Sequence, residues 1–179
     1  MTTDVNIAQL AAHDVATRSD ELVALLRETV DGGASIGFMP PLSEADAHAY
    51  WESLGHSLLG GAVHLLVATD ATGRIVGSVQ LHEATRANGL HRAEVAKLMV
   101  QGRVRRGGIG RALVLAVEAL AARHGRTTLV LDTRQGDASE TLYQSMGWTL
   151  TGSVPAYARS ADGRLHTGVF YHRLLTTAA

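Results

Sequence analysis

No cysteine occurs in this 179-residue chain. That absence excludes a disulfide scaffold, a thiolate-held zinc or iron–sulfur centre and any cysteine nucleophile. Proline is scarce, with three residues, and Phe, Trp and Tyr together make up 4%, so Leu, Val, Ala and Ile have to fill the interior. Neither sign of charge dominates: 16 Lys and Arg face 17 Asp and Glu, for a net charge of −1. A chain built to grip nucleic acid usually carries a basic surplus, and this one has none. Uncharged stretches such as Ser53–Thr69 are broken by His56, His64 and glycines, which gives no membrane span. Met1–Asn6 has neither the basic nor the apolar region of a secretory leader. The expectation is a cytoplasmic protein, monomer or homodimer, with no membrane or nucleic-acid partner.

What is present suits one globular domain spanning 1–179: 46% hydrophobic and 18% charged residues, in a chain long enough to bury a core without staples. Val5–Leu10 reads as a first strand. Leu22, Leu25, Leu26 and Val30 recur at helical spacing up to Gly32-Gly33, and Ser43 caps a second helix striped by Ala47, Tyr50, Trp51, Leu54 and Leu58. Strands follow at His64–Ala68, Ile75–Leu81 and Ala93–Val100. A helix from Ile109 ends at His124-Gly125, and Leu129–Asp132 is a short buried strand. A further helix starts at Asp137, where Asp137 and Glu140 fit a capping box. Trp148–Tyr157 and Gly168–Leu174 close the pattern. The order β-α-α-β-β-β-α-β-α-β-β is a mixed α/β sheet of about six to seven strands and about four helices. Ala93–Val100, the next helix and Leu129–Asp132 form a parallel crossover.

The most informative segment is Leu98-Met99-Val100-Gln-Gly-Arg-Val-Arg105-Arg106-Gly107-Gly108-Ile109-Gly110-Arg111. A strand enters a glycine loop and an amphipathic helix starts at once. Glycines let the backbone turn its N–H groups inward, and the helix start adds free donors and a favourable dipole, a combination that suits a phosphate. The dinucleotide fingerprint fails because Leu113 stands where its last glycine belongs, and the P-loop fails for want of Gly-Lys-Ser/Thr. Arg105-x-x-Gly108-x-Gly110 resembles the acyl-CoA-binding motif of the GCN5-related N-acetyltransferases. The resemblance implies that the strand before the loop holds the pantetheine arm of acetyl-CoA and the loop holds its pyrophosphate. Leu142-Tyr143-Gln-Ser-Met-Gly147-Trp148 resembles the same family's second signature, which implies that Tyr143 protonates the departing thiolate.

A closer likeness runs through Glu28–Met39, Asn88–Val100, Leu131–Thr133 and Asp162–His166. These segments resemble the tabtoxin-resistance branch of the family, which acetylates a toxic β-lactam amino acid on its amine. The implied acceptor is a small primary amine, possessed by an amino-acid-like toxin or antibiotic. Two positions depart from the family pattern: Arg106 stands where many members have Gly, and Gly136 where an Asn is frequent. Amine acetylation requires a neutral amine, so a carboxylate should lie near the acceptor. Glu94 and Asp132, on the two strands flanking the expected cleft, are the candidates for deprotonating or orienting it, and Asp132 is an unusual charge at the end of an apolar run. Gly33, Phe38 and Met39 are the expected acceptor-side wall.

Other chemistries compete. Gly33-Ala-Ser35-Ile-Gly37 has the spacing of a hydrolase nucleophile elbow, with Asp132 and His166 following in order, but it leads into Pro40-Pro41 rather than from a strand into a helix. Arg103–Arg111 offers a basic patch for a phosphate or nucleic-acid-binding module, without interleaved aromatics. His48, Glu52 and His56 stand four apart on one helix, and no other His pair has ligand spacing, so no metal is expected.

Overall fold

The computed structural model describes residues 5–176; Met1–Asp4, which belong to the stretch read for a leader, lie outside them. Seven strands and five α-helices occur in the order β1 (Asn6–Leu10), α1 (Ala12–Thr17), α2 (Ser19–Asp31), α3 (Glu44–Leu59), β2 (Val63–Thr69), β3 (Ile75–Glu83), β4 (Arg92–Val100), α4 (Ile109–Arg123), β5 (Thr128–Arg134), α5 (Ala138–Ser145), β6 (Thr149–Arg159) and β7 (Leu165–Leu174). They form one sheet ordered β1-β2-β3-β4-β5-β7-β6. The expected mixed α/β class holds, with one helix more than expected. At six residues α1 is too short to display a helical period; it is held by the Asp14 carboxylate, which accepts from the Ala11 N–H.

The sheet is covered on both faces because its strands carry two apolar sets. Leu66, Leu81, Ala93, Val95, Leu129, Leu131 and Tyr171 pack against the Ile109, Leu113, Val117 and Leu120 stripe of α4 and against Tyr143 of α5. On the opposite face Leu65, Val67, Ile75 and Met99 pack against Leu22, Leu25 and Leu26 of α2 and Trp51 of α3. Burying each such aliphatic side chain is worth about 1.5–3 kcal/mol, so packing rather than helix propensity holds α4 in place. Among the described residues no helix is long and apolar enough to cross a membrane.

Two features of β4 prepare the site. Its register against β3 slips between Ser78 and Gln80, which face Met99 and Ala96, so β4 carries one extra residue there. Lys97 absorbs it at φ 52°, a left-handed value uncommon for a side-chain-bearing residue. The bulge inverts the strand's facing: Ala93 and Val95 look toward α4 before it, and Leu98 and Val100 after it. On its other edge β4 pairs with β5 in parallel only over Arg92–Thr128, Ala93–Leu129 and Glu94–Val130. Both strands continue while their ladder stops, so they splay into an open slot.

Candidate active site

Glu94 and Asp132 sit on the walls of this slot. Parallel neighbours point to the same face, and Asp132 is two residues beyond Val130, the partner of Glu94. Both carboxylates therefore lie on the α2–α3 face, roughly 8 Å apart between Cα atoms from strand spacing and rise. Neither makes an ion pair among the described residues, and both side chains reach solvent. Partial burial still pushes both above the ordinary carboxylate range. The charge of Asp132 adds to the rise at Glu94, and the charge of Lys97 opposes it at both.

Tyr143 approaches from the other face, on α5. Its ring is buried, tilted against Trp148 at 5.7 Å between centroids. Trp148 is fixed in turn by donating from Nε1 to Glu118 at 2.9 Å. The Tyr143 hydroxyl makes no hydrogen bond among the described residues. Burial, reinforced by the charge of Asp132, holds the phenol far above its usual value, so it stays protonated at any working pH. Carboxylates and phenol thus approach the slot from opposite faces of the sheet.

The glycine loop lies at the carboxyl end of β4. Gly108 is the residue before α4 at φ 85°, a conformation that opens freely only to glycine. Gly110 lies in the first turn, where an added Cβ would stand 3.2 Å from Leu142 Cδ2, so its lack of a side chain lets α4 close on α5. Among the described residues the N–H groups of Gly108, Ile109, Gly110 and Arg111 find no acceptor, leaving a run of donors at the positive end of a helix. Arg106 adopts φ 65°, which accounts for the glycine common at that position. Arg105 turns back, its Nε donating to the Val100 carbonyl at 3.0 Å, and Arg111 donates to Ser145 Oγ at 2.8 Å. With Arg103 against Gln101 and Asp70, these arginines are engaged within the fold, and nothing supports a nucleic-acid module.

A groove of about 790 Å³ is lined by the loop carrying Gly33, Phe38 and Met39, by the end of β5 and by the β6–β7 turn; Glu94, Asp132 and Tyr143 are not among its lining residues. Ser35 and His166 line it too, but no hydrogen bond joins Ser35 to His166 or Asp132 among the described residues, and the loop runs from α2 to Pro40-Pro41 with no strand before it or helix directly after. The hydrolase reading therefore lacks both its elbow and its relay. The expected capping box at Asp137 is also absent. Arg134 claims that carboxylate through Nε at 2.9 Å, while Glu140 instead accepts from the Gly136 N–H at 2.7 Å. Arg134 also donates to Ser160 Oγ at 2.9 Å and to the Gly33 carbonyl at 3.1 Å, tying three walls together. Replacing Arg134 by Met is expected to cost about 1–2 kcal/mol of stability and to speed backbone hydrogen exchange over residues 33–39; unchanged exchange there would show that the loop is held by other contacts.

Three residues at the site escaped the sequence reading. Lys97 has its Nζ about where a side chain on Gly37 would collide, at 3.3 Å from the ideal Cβ, and it makes no ion pair among the described residues. A lone cation inside the run Val95–Val100 was the available signal. Arg134 follows Asp132 by two and so shares its face. Tyr157 left no signal: it rides another register slip, where three residues of β6, Pro155 to Tyr157, lie between the paired Val154 and Ala158 against one, Thr167, on β7. Its ring packs against Phe170 at 5.1 Å, and its hydroxyl feels Asp132 and then Glu94, whose charges raise it.

A parallel pair that splays above a donor-lined helix start is the arrangement of an acetyl-CoA-dependent N-acetyltransferase. The chain belongs to the acetyltransferase (GNAT) family, whose sequence model matches residues 22–148. Solved structures share the fold. A GCN5-related N-acetyltransferase from Kribbella flavida matches with TM-score 0.78 at 24% identity, over 96% of this chain and 98% of that one. A phosphinothricin acetyltransferase from Sinorhizobium meliloti, in complex with acetyl-CoA, matches with TM-score 0.76 at 22% identity, over 98% and 89%. A ribosomal-protein-alanine N-acetyltransferase from Brucella melitensis matches with TM-score 0.73 at 21% identity, over 95% and 99%.

Proposed function

We propose that the acceptor is the primary amine of a small, amino-acid-like molecule, a toxin or antibiotic that acetylation would disarm. The observation that carries this reading is the pair of unpaired carboxylates, Glu94 and Asp132, facing one slot with the Lys97 ammonium nearby. Such a site offers opposite charges to the two ends of a compact zwitterion. The likeness of Glu28–Met39 and Asn88–Val100 to the tabtoxin-resistance branch supports the same acceptor class.

The free N–H groups from Gly108 to Arg111 suit a diphosphate, and the unpaired edge of β4 at Leu98, Met99 and Val100 suits an amide-bearing arm. Arg105, Arg106 and Gly107 complete that side. Acetyl-CoA supplies an activated thioester. Glu94 or Asp132 takes the ammonium proton, directly or through water, and the freed amine forms a C–N bond at the thioester carbonyl. As the C–S bond breaks, the new amide nitrogen gives up its second proton to a carboxylate or to water, and the Tyr143 hydroxyl donates its proton to the sulfur; solvent then returns a proton to the phenolate and takes up those the amine has lost. With no cysteine in the chain, direct transfer needs no cysteine acyl-enzyme. Gly33, Phe38 and Met39 contribute the wall against which the acceptor lies.

The test is calorimetry with acetyl-CoA, followed by thiol release with a panel of amines. The panel would include β-lactam amino acids, phosphinothricin, simple amino acids and peptides ending in alanine. Turnover with amino-acid-like amines and not with peptides is the expected result. Turnover confined to peptide amino termini would overturn the small-molecule reading, and no heat with acetyl-CoA at millimolar concentration would overturn the donor site.

A further inference from the structure

We infer that a second, non-catalytic site, on the α4 face of the sheet behind the start of β4, binds one divalent transition-metal ion through His64, Glu83 and His124. These residues come from the start of β2, the end of β3 and the residue that closes α4, and sequence spacing gives no hint that they meet. His64 Nε2 lies 3.0 Å from Glu83 Oε1, and His124 Nδ1 lies 2.7 Å from the same oxygen. The three donor atoms all fall within 4.8 Å of one another. In a tetrahedral zinc site, ligand atoms at about 2.0–2.1 Å from the ion stand roughly 3.3 Å apart. Placing an ion at their centre requires side-chain rotations that open the two nitrogen–oxygen separations to that distance.

Two imidazoles and one carboxylate form a donor set that selects zinc, cobalt(II) or nickel over magnesium or calcium. The surroundings supply the orienting contacts that such ligands need. Glu83 Oε2 is occupied by Arg126, which leaves Oε1 as the single coordinating oxygen. The Arg126 guanidinium beside it also supplies the counter-charge that a buried carboxylate needs. On the far side of His64, Nδ1 meets the Gln9 carboxamide at 3.2 Å. Turning that carboxamide by half a rotation presents its oxygen to an Nδ1 proton and frees Nε2 for the metal. Glu83 and His64 side chains are only 6% and 7% exposed, whereas His124 is 36% exposed. That exposure gives an entry path and leaves water for a fourth ligand. No net proton need be lost from neutral imidazoles: the proton on each coordinating nitrogen moves to the other ring nitrogen. The Arg126 charge beside the ion weakens the site, which makes it one that fills and empties rather than a permanent clamp.

The site ties β2 and β3 to the turn between α4 and β5, so filling it stabilises the fold from the α4 face, the face opposite Glu94 and Asp132. The experiment uses the untagged, chelator-stripped full chain. Zinc should bind with a stoichiometry of one by calorimetry. Cobalt(II) should develop the visible absorption of a tetrahedral nitrogen–oxygen site. At a hundredfold excess over Kd, zinc should raise Tm by about 5–10 °C. His124→Gln, at the exposed ligand, should keep the fold and lose at least tenfold in affinity together with the Tm shift. Glu83→Gln should do the same if it folds, and His124→Gln decides the matter alone if it does not. Absence of stoichiometric binding, or binding that survives His124→Gln, would show a hydrogen-bonded network only and overturn the proposal.

Discussion

Replacing Tyr143 by Phe is expected to lower kcat by about a hundredfold or more while leaving acetyl-CoA affinity within about twofold. The substitution removes a single oxygen that has no hydrogen-bond partner among the described residues, and it keeps the ring against Trp148. Tm should therefore hardly change, because no satisfied group is lost. The phenol is a weak acid here, raised by burial and by the charge of Asp132. Initial rates, calorimetry and a thermal melt on the same preparation check all three quantities. Unchanged kcat would remove Tyr143 from the proton path.

The carboxylate pair has an effect of similar size and a signature in pH. Protonation removes both the base and the counter-charge, so kcat/KM falls on the acid side as pH drops through the pair's titration. Both groups are raised above the ordinary carboxylate value, so this limb lies at higher pH than an exposed Glu would give. Glu94→Gln is expected to lower kcat/KM for the amine by about 10²–10⁴. Adding Asp132→Asn should cost much less than a second factor of that size, because two residues serving one proton act as a unit. Asp132→Asn alone should move the remaining limb to lower pH, since the charge of Asp132 helps hold Glu94 up. Lys97→Met should move it to higher pH, since the ammonium pulls both carboxylates down. A pH profile of kcat/KM for each variant reads these shifts, and a limb that moves the other way in Asp132→Asn would break the pairing.

The two unexpected shapes at the site have local physical causes. A strand that keeps strict alternation would send Leu98 and Val100 to the same face as Glu94. The extra residue at Lys97 sends them to the α4 side instead. The two-residue surplus in β6 does comparable work, carrying Tyr157 toward the carboxylates and onto Phe170. Both are paid in backbone strain, with Lys97 and Ala156 at φ 52° and 55°.

Periodicity in the chain determined the class of sheet, most strand and helix positions, the parallel β4–β5 crossover and the donor-lined loop at Arg105–Gly110. These depend on contacts between near neighbours, which hydrophobic period and glycine spacing report directly. Asp132 stood out by itself, as a charge ending an apolar run, whereas Glu94 and Tyr143 were pointed to by the likeness of their segments to the acetyltransferase family rather than by any period. The helix α1 was too short to register, and the capping box at Asp137 gave way to Arg134, whose competing claim only folding brings within reach. Facing, register and meeting across the sheet were left to the tertiary structure. A single inserted residue reverses every side chain beyond it, and side chains as far apart in the chain as His64 and His124 become neighbours only when the sheet has closed beneath α4.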